Sequence, residues 1–334
     1  MHKLREIAYL ARDFVDVARG TDYFHRRQPL GRHFADRRCY HNDLRAKAEW
    51  MGPTHDELPL LYIPALEKSV QFPIMILQYG LGSLDCWFDG GGDRYRRQAI
   101  AAVRWVVARL NADGALRNFF PQLLPRHEFH SDNSGMAQGQ ALSLLARAIR
   151  DHAIDGELRA QAESAIGRAV ENMLLPLDRG GTRLAIGGST YFCEQCRVEP
   201  YVVLNGWIFA VLGLYDYFQW QSDDTRKSIL DATVATLARE AGRFLCPNGW
   251  TLYDDAGRVA SPFYHRLHIA QFDALSRLFA EPAFDATLER LQQADTRWNR
   301  WRSAAGKVKD RFIGDAHYAT SARIGSTQSS AAAA

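Results

Sequence analysis

Four apolar helix patterns recur along the chain, and each opens with an amide or aromatic residue beside a glycine or histidine. Gly80, Gly139, Gly206 and His265 mark them, so the successive steps are 59, 67 and 59 residues. A second helix pattern, more charged and rich in Ala and Arg, lies between each pair. Periods of this length are typical of stacked helical hairpins. We therefore predict a mainly α fold: an α/α toroid, incomplete or closed, with the apolar helices as its inner ring.

Local signals give the extent of each predicted helix. The inner helices are predicted over residues 72–88, 135–152, 205–219 and 264–279, and the outer helices over 94–111, 156–175, 224–245 and 284–302. Pro73 suits a first helical turn, and Asp93, Ser134 and Asp223 or Asp224 suit N-caps.

The segments between the helices also carry signals. Residues 177–203, rich in Gly, Thr, Tyr and Val, predict a β-hairpin, and residues 250–253 predict a further strand on the same face. The predicted organisation has three parts. Residues 1–70 form an N-terminal helix over 1–20 followed by an irregular, proline-broken extension on the substrate side. Residues 71–304 form the α/α toroid that carries catalysis, and residues 305–334 form a partly disordered tail.

Composition narrows the class of protein. The chain has 334 residues, of which 47% are hydrophobic and 24% charged, as in soluble globular proteins. A net charge of +3 gives no reason to expect a nucleic-acid partner. The first eighteen residues carry charges every few positions, unlike a secretory signal, and no run approaches the roughly 20 apolar residues of a membrane span. Five cysteines argue against a disulfide framework, so we expect a cytoplasmic protein with reduced thiols.

Polar residues at the starts of the inner helices would converge at one end of the ring. Tyr79, Gln138 and Asn205 belong to this set, and His268 lies near the start of the last inner helix. Tyrosine, histidine and amide side chains in such a place suit a carbohydrate ligand. We therefore expect these four residues to bind substrate.

The richest candidate face lies on the last inner helix. Tyr264, His268 and Gln271 stand at positions i, i+4 and i+7, which share one helix face. The structural alternatives are a tyrosine that only packs and a core histidine bonded to a carbonyl.

A second candidate lies in the predicted hairpin region. Glu194 is the carboxylate there, and burial near aromatic side chains would raise its pKa toward neutrality, as proton transfer requires. Cys193 and Cys196 flank it, but one Cys-x-x-Cys pair is weak evidence for zinc, which needs four ligands. The chain has no GxGxxG motif after a strand, no P-loop and no GxSxG elbow. We expect neither a metal nor an organic cofactor.

Several motifs in collinear order resemble the heparosan/heparan D-glucuronyl C5-epimerase family over roughly residues 40–285. They are Phe72-Pro-Ile with Gln78-Tyr79-Gly80-Leu81, Gly135-Met-Ala-Gln-Gly-Gln-Ala141, Val203-Leu-Asn-Gly206 with Gly213-Leu-Tyr-Asp216, and Tyr264-His-Arg-Leu-His268. The family removes the proton at carbon 5 of a glucuronic acid in a polysaccharide. It returns a proton on the opposite face, which gives iduronic acid without a redox cofactor.

The resemblance implies roles for particular residues. Tyr264 and Tyr253 match the family's catalytic tyrosines, Glu194 matches its catalytic glutamate, and Arg258 corresponds to the arginine that follows the first tyrosine. Tyr40 and Lys47 lie in a stretch that precedes the same core in bacterial relatives, which makes them expected substrate contacts.

The resemblance also implies binding partners, and this chain differs from the family at two motif positions. The expected substrate is an anionic uronate-containing polysaccharide or a lipid-linked glycan, and the dimeric animal family suggests a homodimer. Where the animal enzymes read Glu-Tyr-Pro, this chain reads Glu194-Gln195-Cys196, and Phe72 stands in place of a tyrosine.

Three other functions stay open on the sequence. A uronate lyase on the same toroid would share proton removal at carbon 5 and then expel the group at carbon 4. A glycoside hydrolase would need two carboxylates about 5–10 Å apart, which Glu194 with Asp254 or Asp255 could supply. A non-catalytic glycan-binding protein is the third.

Overall fold

The computed structural model describes residues 23–63, 68–110, 112–118 and 126–313, with side chains as far as residue 305. The predicted helix over residues 1–20 and most of the predicted tail lie outside the described residues. Within them the helices are α1 Arg45–Ala48, α2 Pro73–Phe88, α3 Asp93–Arg109, α4 Gly135–Arg150, α5 Gly156–Leu174, α6 Leu204–Trp220, α7 Asp224–Glu240, α8 Pro262–Leu278, α9 Pro282–Ala294 and α10 Arg297–Ile313. The mainly α class predicted from the sequence is confirmed.

Three short antiparallel hairpins accompany the helices. They are β1 Thr54–His55 with β2 Leu58–Pro59, β3 Leu61–Ile63 with β4 Lys68–Val70, and β5 Arg183–Ile186 with β6 Ser189–Phe192. In the third hairpin Arg183 pairs with Phe192 and Ile186 with Ser189. It confirms the hairpin predicted within residues 177–203. In the described residues no helix is long and apolar enough to cross a membrane.

The helices pack in the predicted order. The inner helices α2, α4, α6 and α8 contact one another in sequence, and each also packs against the helix that follows it. Two N-terminal residues lie near both ends of this series, because Phe24 contacts Phe72 just before α2, and His25 contacts Phe263 of α8, with ring centroids 6.1 and 5.0 Å apart. Closure of the ring stays a prediction.

Glycines explain how tightly α4 and α6 cross. A Cβ atom built on Gly139 would lie 2.5 Å from the carbonyl oxygen of Phe209, and one built on Gly213 would lie 2.1 Å from that of Gly139. Contacts this short are incompatible with any side chain, so both positions need glycine for the helix backbones to approach. Together α4 and α6 form the centre of the apolar core.

Helix starts follow the predicted chemistry with one exception. Pro73 is at the start of α2, the Ser134 side chain accepts a hydrogen bond from the Ala137 N–H, and Asp223 accepts one from the Arg226 N–H. Gly92, and not Asp93, occupies the N-cap of α3, because Asp93 is already the first helical residue.

The structure corrects the predictions made from the sequence at three further places. The single closing helix predicted over 284–302 is two helices, because Thr296 caps a new start by accepting from the Asn299 N–H at 3.2 Å. Residues 250–253 form isolated bridges to Leu245 and Val259 where the chain reverses, with no regular strand. The predicted irregular stretch over 21–70 contains α1 and two hairpins.

Candidate active site

Glu194 lies just beyond β6, against the first turns of two inner helices. The carbonyl of its neighbour Cys193 accepts a hydrogen bond from the Gly135 N–H of α4 at 2.8 Å. A Cβ atom on Gly135 would lie 2.7 Å from that carbonyl oxygen, and one on Gly206 of α6 would lie 2.7 Å from Glu194 Oε2. Gly135 therefore leaves room for the backbone before Glu194, and Gly206 leaves room for the Glu194 carboxyl group itself.

The Glu194 carboxyl group is buried, and one of its two oxygens lacks a partner among the described residues. Glu194 is only 8% exposed, and its Oε2 atom has no hydrogen-bond partner in the described part of the chain. Burial raises its pKa to about 7; the Arg258 guanidinium opposes this and the Asp254 carboxylate adds to it. The predicted rise in pKa is thus confirmed. Near neutral pH this group populates both protonation states, so it can accept and release a proton.

Tyr253 and Tyr264 meet beside this carboxyl group. Their ring centroids are 4.7 Å apart at an interplanar angle of 67°. Hydrogen bonds fix the backbone around Tyr253: its carbonyl accepts from the Leu204 N–H of α6 at 3.0 Å, and its N–H donates to the Arg258 carbonyl at 2.6 Å. Tyr264 lies in the first turn of α8, which the Ser261 side chain caps.

Electrostatics keep Tyr253 protonated. Burial raises its pKa well above 10, and the nearby Glu194 carboxyl and Tyr264 phenol add to the rise, while Arg258 opposes it. The phenol is therefore a hydrogen-bond or proton donor at neutral pH. A tyrosinate at this position would need more positive charge than Arg258 supplies.

Arg258 presents positive charge next to Tyr253. Its guanidinium carbon lies 5.3 Å from the centroid of the Tyr253 ring. The group forms an ion pair with Asp254, which is fully buried, yet 45% of the Arg258 side chain is exposed. Asp254 thus holds the guanidinium in place while nearly half of the side chain stays exposed, where an anionic ligand can reach it.

An interior row of polar side chains lies on α6 and α8. Gln271 donates its side-chain N–H to the Asn205 carbonyl at 3.2 Å, while Gln271 Oε1 and Asn205 Oδ1 are buried without described partners. His268 is fully buried, neither ring nitrogen has a partner in the described residues, and burial lowers its pKa to about 3. His268 is therefore a neutral imidazole. Buried polar groups are normally paired, so such a row marks a place where polar ligand groups are expected.

Three predicted substrate contacts have structural roles in this geometry. Tyr40 is fully buried and stacks on Phe209, and Lys47 is 1% exposed and donates to the Tyr23 and Phe24 carbonyls. The Gln138 side chain is fully buried; its amide accepts from the Leu116 N–H and donates to the Gly114 and Ala169 carbonyls. All three side chains lie in the core, and those of Lys47 and Gln138 already have polar partners there.

Tyr79 also lies apart from Glu194. It is 3% exposed, and its hydroxyl donates to the Glu57 carbonyl in the turn between β1 and β2 at 3.2 Å. Of the ten predicted site residues, the structure therefore groups six around the starts of α6 and α8. They are Glu194, Asn205, Tyr253, Arg258, Tyr264 and His268.

The Cys-x-x-Cys pair is not part of a metal site in the described structure. Cys193 and Cys196 pack with Leu177 in a small apolar cluster. His265 stacks on Trp250, and its ring nitrogens contact Thr251 and the Leu291 carbonyl. Among the described residues, no three His, Cys, Asp or Glu side chains converge as metal ligands.

No sequence motif or helix period indicates two further residues that lie near Glu194. Arg197 and Tyr201 lie in the loop between β6 and α6, and the Arg197 and Arg258 guanidinium carbons lie 5.8 and 5.2 Å from the Tyr201 ring centroid. Neither residue belongs to a helix period or a known spacing. Only their short sequence distance from Glu194 could have suggested them.

Comparisons with known proteins point to one family. Residues 130–293, which include Glu194, Tyr253, Arg258 and Tyr264, match the family model for the D-glucuronyl C5-epimerase C-terminus. The D-glucuronyl C5-epimerase of Caenorhabditis elegans is 24% identical over 177 residues, which cover 47% of this chain and 28% of that protein. The chain therefore spans little more than a quarter of that relative's length.

A solved structure aligns more weakly. It is a mutant of a Family 10 polysaccharide lyase from Cellvibrio cellulosa in complex with trigalaturonic acid. The two chains are 16% identical, the alignment covers 56% of this chain and 62% of the lyase, and the TM-score is 0.36. The family-model match over residues 130–293 and the curated relative both support the family that the sequence motifs indicated, the D-glucuronyl C5-epimerases.

Proposed function

We propose that this protein is a uronate C5-epimerase that converts D-glucuronate to L-iduronate residues within a polysaccharide or its lipid-linked precursor. The observation that carries the proposal is the buried Glu194 carboxyl group, with one oxygen unpaired among the described residues, near Tyr253, which contacts both Tyr264 and Arg258. Epimerisation at carbon 5 needs a proton acceptor on one face of the sugar and a proton donor on the other. Family membership of the segment that holds these residues supports the same reaction.

In the proposed reaction Glu194 and Tyr264 act from opposite faces of the sugar ring. The Glu194 carboxylate accepts the proton from carbon 5, and the electron pair of the broken C–H bond moves into the sugar carboxylate. The Tyr264 hydroxyl then donates a proton to carbon 5 from the other face. Tyr264 regains a proton from solvent, and Glu194 releases its proton to solvent. A pKa near 7 suits Glu194 to this exchange, because the group changes protonation state with little free-energy cost.

The developing negative charge needs a positive partner. A proton next to a carboxylate is very weakly acidic, so stabilising the enolate-like intermediate is the largest requirement of the reaction. Arg258, with its accessible edge, supplies that charge, and the protonated Tyr253 phenol supplies a further hydrogen bond. Asn205 and His268, whose side chains keep unfilled hydrogen-bonding capacity, would orient sugar hydroxyl groups.

The test is hydrogen exchange at carbon 5. The full chain is incubated in heavy water with heparosan and a panel of other glucuronate polymers, and carbon 5 is followed by NMR. Deuterium at carbon 5 together with iduronate signals is the expected result. An unsaturated uronate, seen as a rise in ultraviolet absorbance, would instead identify a lyase, and no exchange on any polymer would contradict both reactions.

Variants assign the roles. Glu194→Gln and Tyr264→Phe should each lower the exchange rate by at least about 100-fold, in the range typical of lost acid–base groups. Tyr62→Phe is the matched control, because Tyr62 is 58% exposed on β3. Full activity of Tyr264→Phe would show that another residue donates the proton.

A further inference from the structure

Arginines and aromatic rings alternate beside Glu194 in a continuous series. Phe129, Arg197, Tyr201, Arg258 and Tyr253 follow one another, with each guanidinium carbon 5.0 to 5.8 Å from the centroids of the two rings next to it. We call this series the arginine–aromatic ladder. Flat rings hold the planar guanidinium groups in fixed orientations, so their N–H donors are aimed before a ligand arrives.

Arg197 is an unusual arginine because it is mostly buried and partly unfilled. Its side chain is 12% exposed. One terminal nitrogen pairs with the Glu128 carboxylate, while the other, Nη1, is buried without a hydrogen-bond partner in the described residues. A buried N–H donor of a charged group is costly to leave unpaired. The described residues supply no acceptor for this donor, so a ligand oxygen would fit it.

Tyr201 joins the two arginines and Glu194. Its hydroxyl interacts with Arg258, and its electrostatic environment includes Arg197, Arg258 and the Glu194 carboxyl group. The phenol is thus held between two cations, close to the group that we place on carbon 5. A phenol hydroxyl in this position can donate a hydrogen bond to an anion that both arginines attract.

We infer that Arg197, Tyr201 and Arg258 form a subsite that binds the carboxylate of the reacting glucuronate, an inference that rests on the proposed function. A carboxylate offers two oxygen atoms, which match the planar fork of an arginine. Glu128 and Asp254 already balance part of the positive charge and hold each guanidinium in place. Arg197 Nη1 is left for one acceptor on the sugar, so the subsite would select uronates over neutral sugars.

Such a subsite has a consequence for the reaction. Two guanidinium groups and a phenol around the carboxylate would stabilise the extra negative charge that forms when carbon 5 loses its proton. Arg197 would then contribute to the rate as well as to binding. It would act through the carboxylate, and Glu194 would remain the group that takes the proton.

The test compares two oligosaccharides that differ only in charge. Binding of a glucuronate-containing heparosan oligosaccharide and of its carboxyl-reduced form, in which each carboxylate is a hydroxymethyl group, is measured calorimetrically with the full chain. Arg197→Gln and Tyr201→Phe should weaken binding of the first by about 10- to 100-fold and leave any binding of the second unchanged. Arg104→Gln, an exposed arginine on α3, is the matched control.

The outcomes separate this inference from the proposed function. If the wild-type protein exchanges carbon 5 but both variants bind the charged oligosaccharide as tightly as wild type, the subsite is overturned and the epimerase stands. If wild type shows no exchange, yet the charged oligosaccharide binds and binding depends on Arg197 and Tyr201, the subsite stands and the epimerase falls. Tyr201→Phe removes one hydroxyl and keeps the ring, so its result does not depend on the Glu128 ion pair.

Discussion

Replacing Glu194 with glutamine is expected to stabilise the folded protein at alkaline pH while removing its proton-transfer group. Burial raises the pKa of this carboxyl group from 4.5 to about 7. Between those values the folded protein keeps a proton that the unfolded chain has released. The free energy of unfolding therefore falls as the pH rises from 4.5 to about 7, and stays low above that range.

The size of the effect follows from the two pKa values. Each pKa unit corresponds to about 1.4 kcal/mol, so ionising Glu194 in its buried place costs about 3 kcal/mol at pH 8. Glutamine has nearly the same shape and no charge to bury. Glu194→Gln should therefore be more stable than wild type by up to about 3 kcal/mol at pH 8, and about equal to it at pH 4.5, where both side chains are neutral.

Urea unfolding at several pH values measures this difference. Glu289→Gln is the control, because Glu289 is exposed on α9 and its replacement should change the free energy of unfolding by less than about 0.5 kcal/mol at either pH. The reasoning fails if Glu194→Gln is no more stable than wild type at pH 8. It also fails if the variant is destabilised more at pH 8 than at pH 4.5, since that would mean that the ionised carboxylate has a stabilising partner.

Two further variants test the surroundings of the site and the core. Gly206→Ala should abolish carbon 5 exchange and lower the free energy of unfolding by about 1–3 kcal/mol, because the new methyl group would lie 2.7 Å from Glu194 Oε2. Gly167→Ala is the control: this helical glycine has open space around it, so the exchange rate should not change. Arg147→Ala should cost about 3–5 kcal/mol in urea unfolding, because it leaves the buried Asp85 carboxylate, 3.1 Å from Arg147, unpaired. This loss should shrink as the pH falls well below the Asp85 pKa of about 7, and an equal loss at pH 5 and pH 8 would contradict the assignment.

Much of the helical scaffold was predictable because its determinants are local. Ser134 and Asp223 are side-chain caps that act within three residues, and the apolar period of each inner helix sets the face that packs. The break between α9 and α10 escaped prediction because Asp295 and Thr296 differ little from their neighbours in apolar period. Their effect depends on how Thr296 caps one particular backbone turn.

The candidate site was predictable only in part, for a physical reason. Glu194, Tyr253 and Tyr264 could be named from motifs, but their grouping depends on contacts between distant segments. Lys47, in contrast, was predicted to bind substrate and is instead buried in the core. A lysine is rarely buried, yet here its ammonium group fixes residues 23 and 24, and no local pattern announces that. The ladder around Tyr201 is equally non-local, since its arginines come from separate loops.

The repeated glycines of the inner helices also have different causes in different repeats. A Cβ atom on Gly80 would meet Ala102 and Leu144, and one on Gly139 would meet the backbone of α6, so both are set by helix packing. Gly206 is different, because the atom it makes room for is a carboxylate oxygen. The sequence period therefore reports how the hairpins stack. The proposed chemistry lies where α6 and α8 begin, so we expect substitutions that lower carbon 5 exchange without loss of fold to be confined to that junction.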